Sequence, residues 1–225
     1  MRIKLNVPLK IFKKVGKIQI GTQQQTTTST TPPVSKQTIE ELSLKTPEAL
    51  IKSLSDKDPF VRAISCEVLG RMREKKALKQ IMALMNDSSK YVREKAAIAL
   101  GQIGDKKAVP VLVAAMNDEA EEVRVTVAGV LGHLRDRLAV PALIKALEDP
   151  SPSARMKAAV SLGLIGDPEA IPALFKALKD PHELVRRYAC EALGNIGRPA
   201  IPALLLALKD ENVRAHAAQV LVKIK

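Results

Sequence analysis

The residues of this chain whose side chains could do more than pack are three histidines, two cysteines and a large set of carboxylates. His133, His182 and His216 lie in separate segments and have no neighbours at metal-ligand spacing. His182-Glu183 is an isolated pair after Asp180-Pro181, where a turn is expected, so it reads as a solvated turn. Cys66 and Cys190 take a position filled by Ala97, Ala159 and Ala218 elsewhere in the chain, a small core slot rather than a nucleophile or ligand site. The sequence contains no glycine-rich phosphate loop and no nucleophile elbow. The expectation is therefore no catalytic residue, no metal and no cofactor.

The charged residues that stand out do so by recurring. Arg62, Arg93, Arg124, Arg155 and Arg186 are spaced 31 apart, and Arg214 follows after 28. Asp56, Asp87, Asp118, Asp149 and Asp180 keep the same step, with Asp210 after 30. Gly70, Gly101, Gly132, Gly163 and Gly194 share it. A catalytic group has no reason to recur at every unit. Asp and Arg in fixed register instead suggest a ladder of charge-assisted hydrogen bonds joining turns and helices of successive units.

Each unit reads as two helices. In the fourth, Val140, Leu143 and Leu147 mark an amphipathic first helix with Pro141 in its first turn. Asp149-Pro150-Ser151-Pro152 breaks the chain. Ala154, Ala158, Leu162 and Ile165 then line a second helix that Gly166-Asp167-Pro168 ends. So short a pair cannot bury its apolar face alone, so the units must stack. The predicted architecture is all-α, a right-handed α-solenoid of six helical pairs within residues 40–225. Gly inside a helix costs about 1 kcal/mol against Ala, and repeating that cost at one register implies close approach of neighbouring backbones. The last unit has Val222 there, as befits an array end.

Composition agrees with this reading. The chain has 225 residues, 46% of them apolar but only 2% aromatic, which argues against a β-sandwich or a base-stacking platform. Its net charge of +12 is uneven. Arg2, Lys4, Lys10, Lys13, Lys14, Lys17 and Lys36 meet no acidic residue before Glu40, leaving the remainder at +5. Residues 1–20 contain a basic amphipathic stretch, with Lys10, Lys13, Lys14 and Lys17 opposite Leu9, Ile11, Phe12, Val15, Ile18 and Ile20. An anionic membrane or an acidic protein surface would suit it. An unstructured tail, a strand packing on the solenoid and a targeting peptide are the competing readings. Residues 21–39 are rich in Gln, Thr, Ser and Pro and read as a flexible linker. Two cysteines suit a reducing compartment, and no apolar run or signal-peptide core appears, so a cytoplasmic protein, or one at a membrane periphery, is expected.

The strings DSSKYVREKAAIALGQIGDKKAVPVL and DPHELVRRYACEALGNIG resemble HEAT-like repeats of the phycobilisome-lyase type, over residues 47–225. The resemblance implies an interaction scaffold or, as alternatives, a chromophore lyase or other enzyme-accessory protein. Deoxyhypusine hydroxylase, an enzyme of the same repeat type, binds two irons through His-Glu pairs after the helix start. The matching positions here hold Glu94-Lys95, Val125-Thr126, Arg187-Tyr188 and Ala215-His216.

The resemblance also implies that the outward side of the second helices is a concave binding surface. Its expected contact residues are Phe60, Ile64, Arg71, Tyr91, Lys95, Met156, Leu164, Leu184, Arg187 and Tyr188. Aromatics beside Arg and Met are the chemistry of protein-binding hot spots. Arg71, Lys90, Lys95, Lys157, Arg187 and Lys223 on this face are matched by Glu67, Glu94, Glu121, Glu122, Glu183, Glu191 and Glu211. Nucleic acid is not expected there, because phosphate affinity needs uncompensated cations. HEAT-like DNA glycosylases carry a basic groove with aromatic walls that this face lacks. A protein partner is expected.

Overall fold

Prolines and short polar caps decide where the helices begin. Pro occupies the first turn of many of them, where its missing N–H is not needed, and Thr46, Asp58 and Ser151 accept first-turn amide hydrogens. The structure, a computed structural model, describes residues 46–224. The amphipathic segment and the linker read from residues 1–39 lie outside the described residues.

The described residues form helical pairs in chain order: α1 (Pro47–Ser53) with α2 (Pro59–Arg71), α3 (Leu78–Ala83) with α4 (Lys90–Ile103), α5 (Val109–Ala115) with α6 (Glu121–Leu134), α7 (Val140–Ala146) with α8 (Pro152–Ile165), α9 (Ile171–Ala177) with α10 (Glu183–Ile196), and α11 (Ile201–Ala207) with α12 (Arg214–Lys223). Every pair after the first is entered through a short 3-10 turn. Among the described residues there is no strand.

The even helices pack side by side in one layer, and each odd helix packs across its own partner. The core lies between the two layers and is built around two files of side chains at equivalent positions of the units. Leu50, Ile81, Leu112, Leu143, Leu174 and Leu204 come from the odd helices, and Leu69, Leu100, Leu131, Leu162 and Leu193 from the even ones, all fully buried. At roughly 1.5–3 kcal/mol for each buried aliphatic side chain, these files are the main stabilising term.

The recurring glycines set the spacing of the inner layer. A Cβ on Gly70 would lie 2.7 Å from Ala99 Cα, and one on Gly163 would lie 2.8 Å from Ala192 Cα. At Gly132 it would meet Ser161, whose buried Oγ donates to the Ala128 carbonyl of the preceding unit at 2.7 Å. Val222, at the glycine register of the last described unit, is 87% exposed.

Candidate partner-binding face

Two sets of charged and aromatic side chains arise from this packing, one at the turns and one along the outward side of the even helices. At the turns, four arginines one turn into an even helix reach the aspartate of the next unit. Arg62 donates from Nε and Nη2 to both carboxylate oxygens of Asp87, at 2.7 and 2.8 Å. Arg93 holds Asp118 at 2.7 and 2.8 Å, Arg124 holds Asp149 at 2.7 and 3.0 Å, and Arg155 holds Asp180 at 2.7 and 3.0 Å. Nη1 of each arginine caps carbonyls of its own turn, such as Asp56 O for Arg62 and Asp87 O for Arg93. Each aspartate also accepts the amide two residues on.

Burial alone would push the Asp118 carboxyl up. The hydrogen bonds from Arg93 and the Ala120 amide, with the charges of Arg93 and Arg124, hold it below the usual carboxylate range instead. Asp87, Asp149 and Asp180 are held down in the same way. These groups are spent on each other and are structural.

The ladder stops short of the end. Arg186 donates to the Asp180 and Pro181 carbonyls, but its Nε is buried without a partner. Asp210 turns instead to the backbone and side chain of Asn212, and Arg214 donates to Leu208 O. The six-unit ladder read from the register therefore has four rungs. The physical reason is a shortened connection: the four formed pairs are each 25 residues apart, whereas Arg186 and Asp210 are 24 apart. The next turn is shorter too, with Asp210 and Arg214 four apart where Asp180 and Arg186 are six, so Arg214 opens α12 rather than sitting a turn inside it.

On the outward side of the even helices, equivalent positions in successive units touch. The rings of Phe60 and Tyr91 lie 5.7 Å apart, tilted by 52°. Lys95 Nζ sits 5.5 Å from the Tyr91 ring centre and donates to Glu67 Oε2 at 2.9 Å, while Arg71 takes the other oxygen of Glu67. Lys90 pairs with Glu122 at 2.8 Å, and Thr126 Oγ1 donates to Glu94 at 3.5 Å. These contacts make a continuous strip across the first three pairs.

Farther along, Arg187 lies 4.9 Å from the Tyr188 ring centre and donates to its hydroxyl, with Glu191 3.6 Å from Arg187 Nε. Leu184 beside them is 40% exposed. Met156 and Leu164 are half-buried between the two aromatic groups. Ile64 is not on this surface: it is 8% exposed and packs in the core. Its register neighbours Lys95, Thr126 and Tyr188 carry a polar tip out to solvent, and an aliphatic side chain has none to carry.

Burial also decides the thiols. It pushes Cys66 up to about 12 and Cys190 up to about 11, so both stay protonated at neutral pH. No group of three or more His, Cys, Asp and Glu among the described residues could hold a metal ion, and no helix among them is long and apolar enough to cross a membrane.

The sequence matches the model for HEAT repeats over residues 47–124, 109–184 and 171–225. The chain belongs to the HEAT-repeat family. Among solved structures it is similar to the complex of CpcE and CpcF of phycocyanin lyase from Nostoc sp., at 25% identity and a TM-score of 0.62, over 91% of this chain and 87% of that one. It is also similar to a designed armadillo repeat protein in complex with the peptide (KR)4, at 20% identity and a TM-score of 0.60, over 78% of this chain and 98% of that one. An engineered protein matches at 23% identity and a TM-score of 0.57, over 80% of this chain and 96% of that one. No curated protein matches. This HEAT-repeat protein thus has the helical-repeat architecture expected from its 31-residue register.

Two features of the face escape a sequence reading. The lateral pairing of Phe60 with Tyr91 depends on the distance between neighbouring helices, which Gly70 sets farther along the same junction, where it faces Ala99. The Lys90–Glu122 pair likewise forms only across units. The open fifth rung did carry a signal, the fall of the register to 30 and 28.

Proposed function

We propose that this protein is a non-enzymatic interaction scaffold that holds a protein partner on the outward face of its even helices. The observation that carries the reading is the pinned aromatic group. Tyr91 is 38% exposed, yet Phe60 packs against its ring and Lys95 sits near its face. A ring already fixed in place loses little freedom on binding, which is what makes exposed aromatics effective anchors. Tyr188 with Arg187 and Leu184 supplies a second anchor.

The charge around them favours protein over nucleic acid. Glu67 is shared by Lys95 and Arg71, and Glu122 takes Lys90. Few cations are left uncompensated, and phosphate binding depends on those. That a designed armadillo repeat protein of similar fold is found in complex with a peptide is consistent with such a use of it. The proposed setting is cytoplasmic, with residues 1–20 proposed to engage an anionic membrane or an acidic protein surface.

The test is affinity capture from native lysate. Tyr91→Ala with Tyr188→Ala is expected to weaken capture tenfold or more, on the order of 1.4 kcal/mol, with helix content and melting unchanged. Undiminished capture would place the partner on another surface.

A second reading, accessory function in chromophore attachment, is favoured by the likeness to the phycocyanin lyase complex. A bilin absorbance band on an acceptor subunit, appearing only when this protein is co-expressed with both, would favour it over the scaffold.

A further inference from the structure

The last junction of the solenoid differs from all the others in several independent ways. Its Arg–Asp rung is missing, and the Arg186 Nε that would form it is buried without a partner. The connection into it, Gly197–Ala200, is one residue shorter than its predecessor Gly166–Ala170. In the earlier entries Glu74, Asp105, Asp136 and Asp167 cap the 3-10 turn with a carboxylate, whereas Gly197 offers no side chain there. Helix α12 is 10 residues long where α10 has 14, and touches α10 along a shorter stretch than other neighbouring even helices share.

We infer that the sixth helical pair, α11 with α12, is a separately opening cap that detaches from α10 while the first five pairs stay stacked. In a one-dimensional array each junction contributes its own stability, and the weakest junction opens at the lowest free energy. The first pair, by contrast, is fastened to the second by the Arg62–Asp87 rung, the Phe60–Tyr91 contact and the Glu67–Lys95 pair.

The chain carries its own reporters. Cys66, Ala97, Ala128, Ala159 and Cys190 share one register position and are all fully buried. Ala218 takes that position in the last unit and is exposed. The position is therefore covered by the following pair: Cys66 by the second and Cys190 by the sixth. Departure of the cap uncovers Cys190 and leaves Cys66 buried.

The experiment is pulsed iodoacetamide labelling of the full chain in native buffer, with the two cysteine peptides quantified by mass spectrometry. Labelling in concentrated urea gives the intrinsic rate of each thiol. After that correction, Cys190 is expected to react at least tenfold faster than Cys66, with a much weaker response to sub-denaturing urea. Arg62→Met, which removes the first rung, is expected to raise the Cys66 rate toward that of Cys190 and leave Cys190 unchanged. Equal rates, faster Cys66, or parallel steep urea responses at both sites would overturn the inference. An unmoved Cys66 rate in Arg62→Met would overturn the role given to the rung.

Discussion

Arg93→Ala is expected to destabilise the protein by about 3 kcal/mol, because it leaves Asp118 charged and enclosed without its counter-ion. Both side chains of that rung are 8% exposed, so solvent offers little compensation. The arginine also caps the Asp87 carbonyl, and its loss frees that acceptor too. A double variant, Arg93→Met with Asp118→Leu, is expected to recover much of the loss, since a well-packed apolar pair removes the desolvation penalty altogether. Urea denaturation at pH 7 measures both.

The same rungs set the acid response. Their aspartates have folded-state pKa values below the ordinary carboxylate value. The unfolded chain therefore binds more protons at low pH, and the stability from the rungs is complete above about pH 4 and lost as pH falls through the folded-state values. Arg93→Ala should show a shallower acid loss than the parent, because Asp118 then lacks the partner that lowers its pKa.

The second large effect is steric. Gly132→Ala and Gly163→Ala are each expected to destabilise by about 1–2 kcal/mol, the net of about 1 kcal/mol of gained helix propensity against about 2–3 kcal/mol of overpacking. The new Cβ would lie 2.7 Å from Ser161 Cβ in the first case and 2.8 Å from Ala192 Cα in the second, so backbone must move. Gly129→Ala, one helical turn away, faces only the Lys157 stem at 3.3 Å and is expected to stabilise by up to about 1 kcal/mol. Thermal melts of the three variants check the ordering. A uniform gain at all three would mean that the glycines do not set the helix spacing.

Much of this fold is legible because one constraint repeats. A leucine at 50, 112, 143 and 174, and again at 69, 100, 131, 162 and 193, has the same neighbours each time, so periodicity alone places it inside. The glycine register is legible for the same reason. Local departures from the repeat are harder to read. Ile64 shares its register with Lys95 and Tyr188, yet its burial follows from side-chain chemistry rather than register. The missing fifth rung follows from a turn too short to bring Asp210 to Arg186, a three-dimensional consequence of a small deletion. The face itself was legible as positions, but the contacts that pin Tyr91 come from helix spacing and appear only in the folded chain.

The claim that the even-helix face holds the partner is tested most directly by site-specific photo-crosslinking. A benzophenone side chain is placed at Tyr91, at Leu184, or at Lys145 on the exposed side of the odd helix α7, and the full chain is irradiated in native lysate. The expected result is one partner protein crosslinked from both Tyr91 and Leu184 and absent from Lys145. Crosslinks from Lys145 with none from the other two positions would contradict the account.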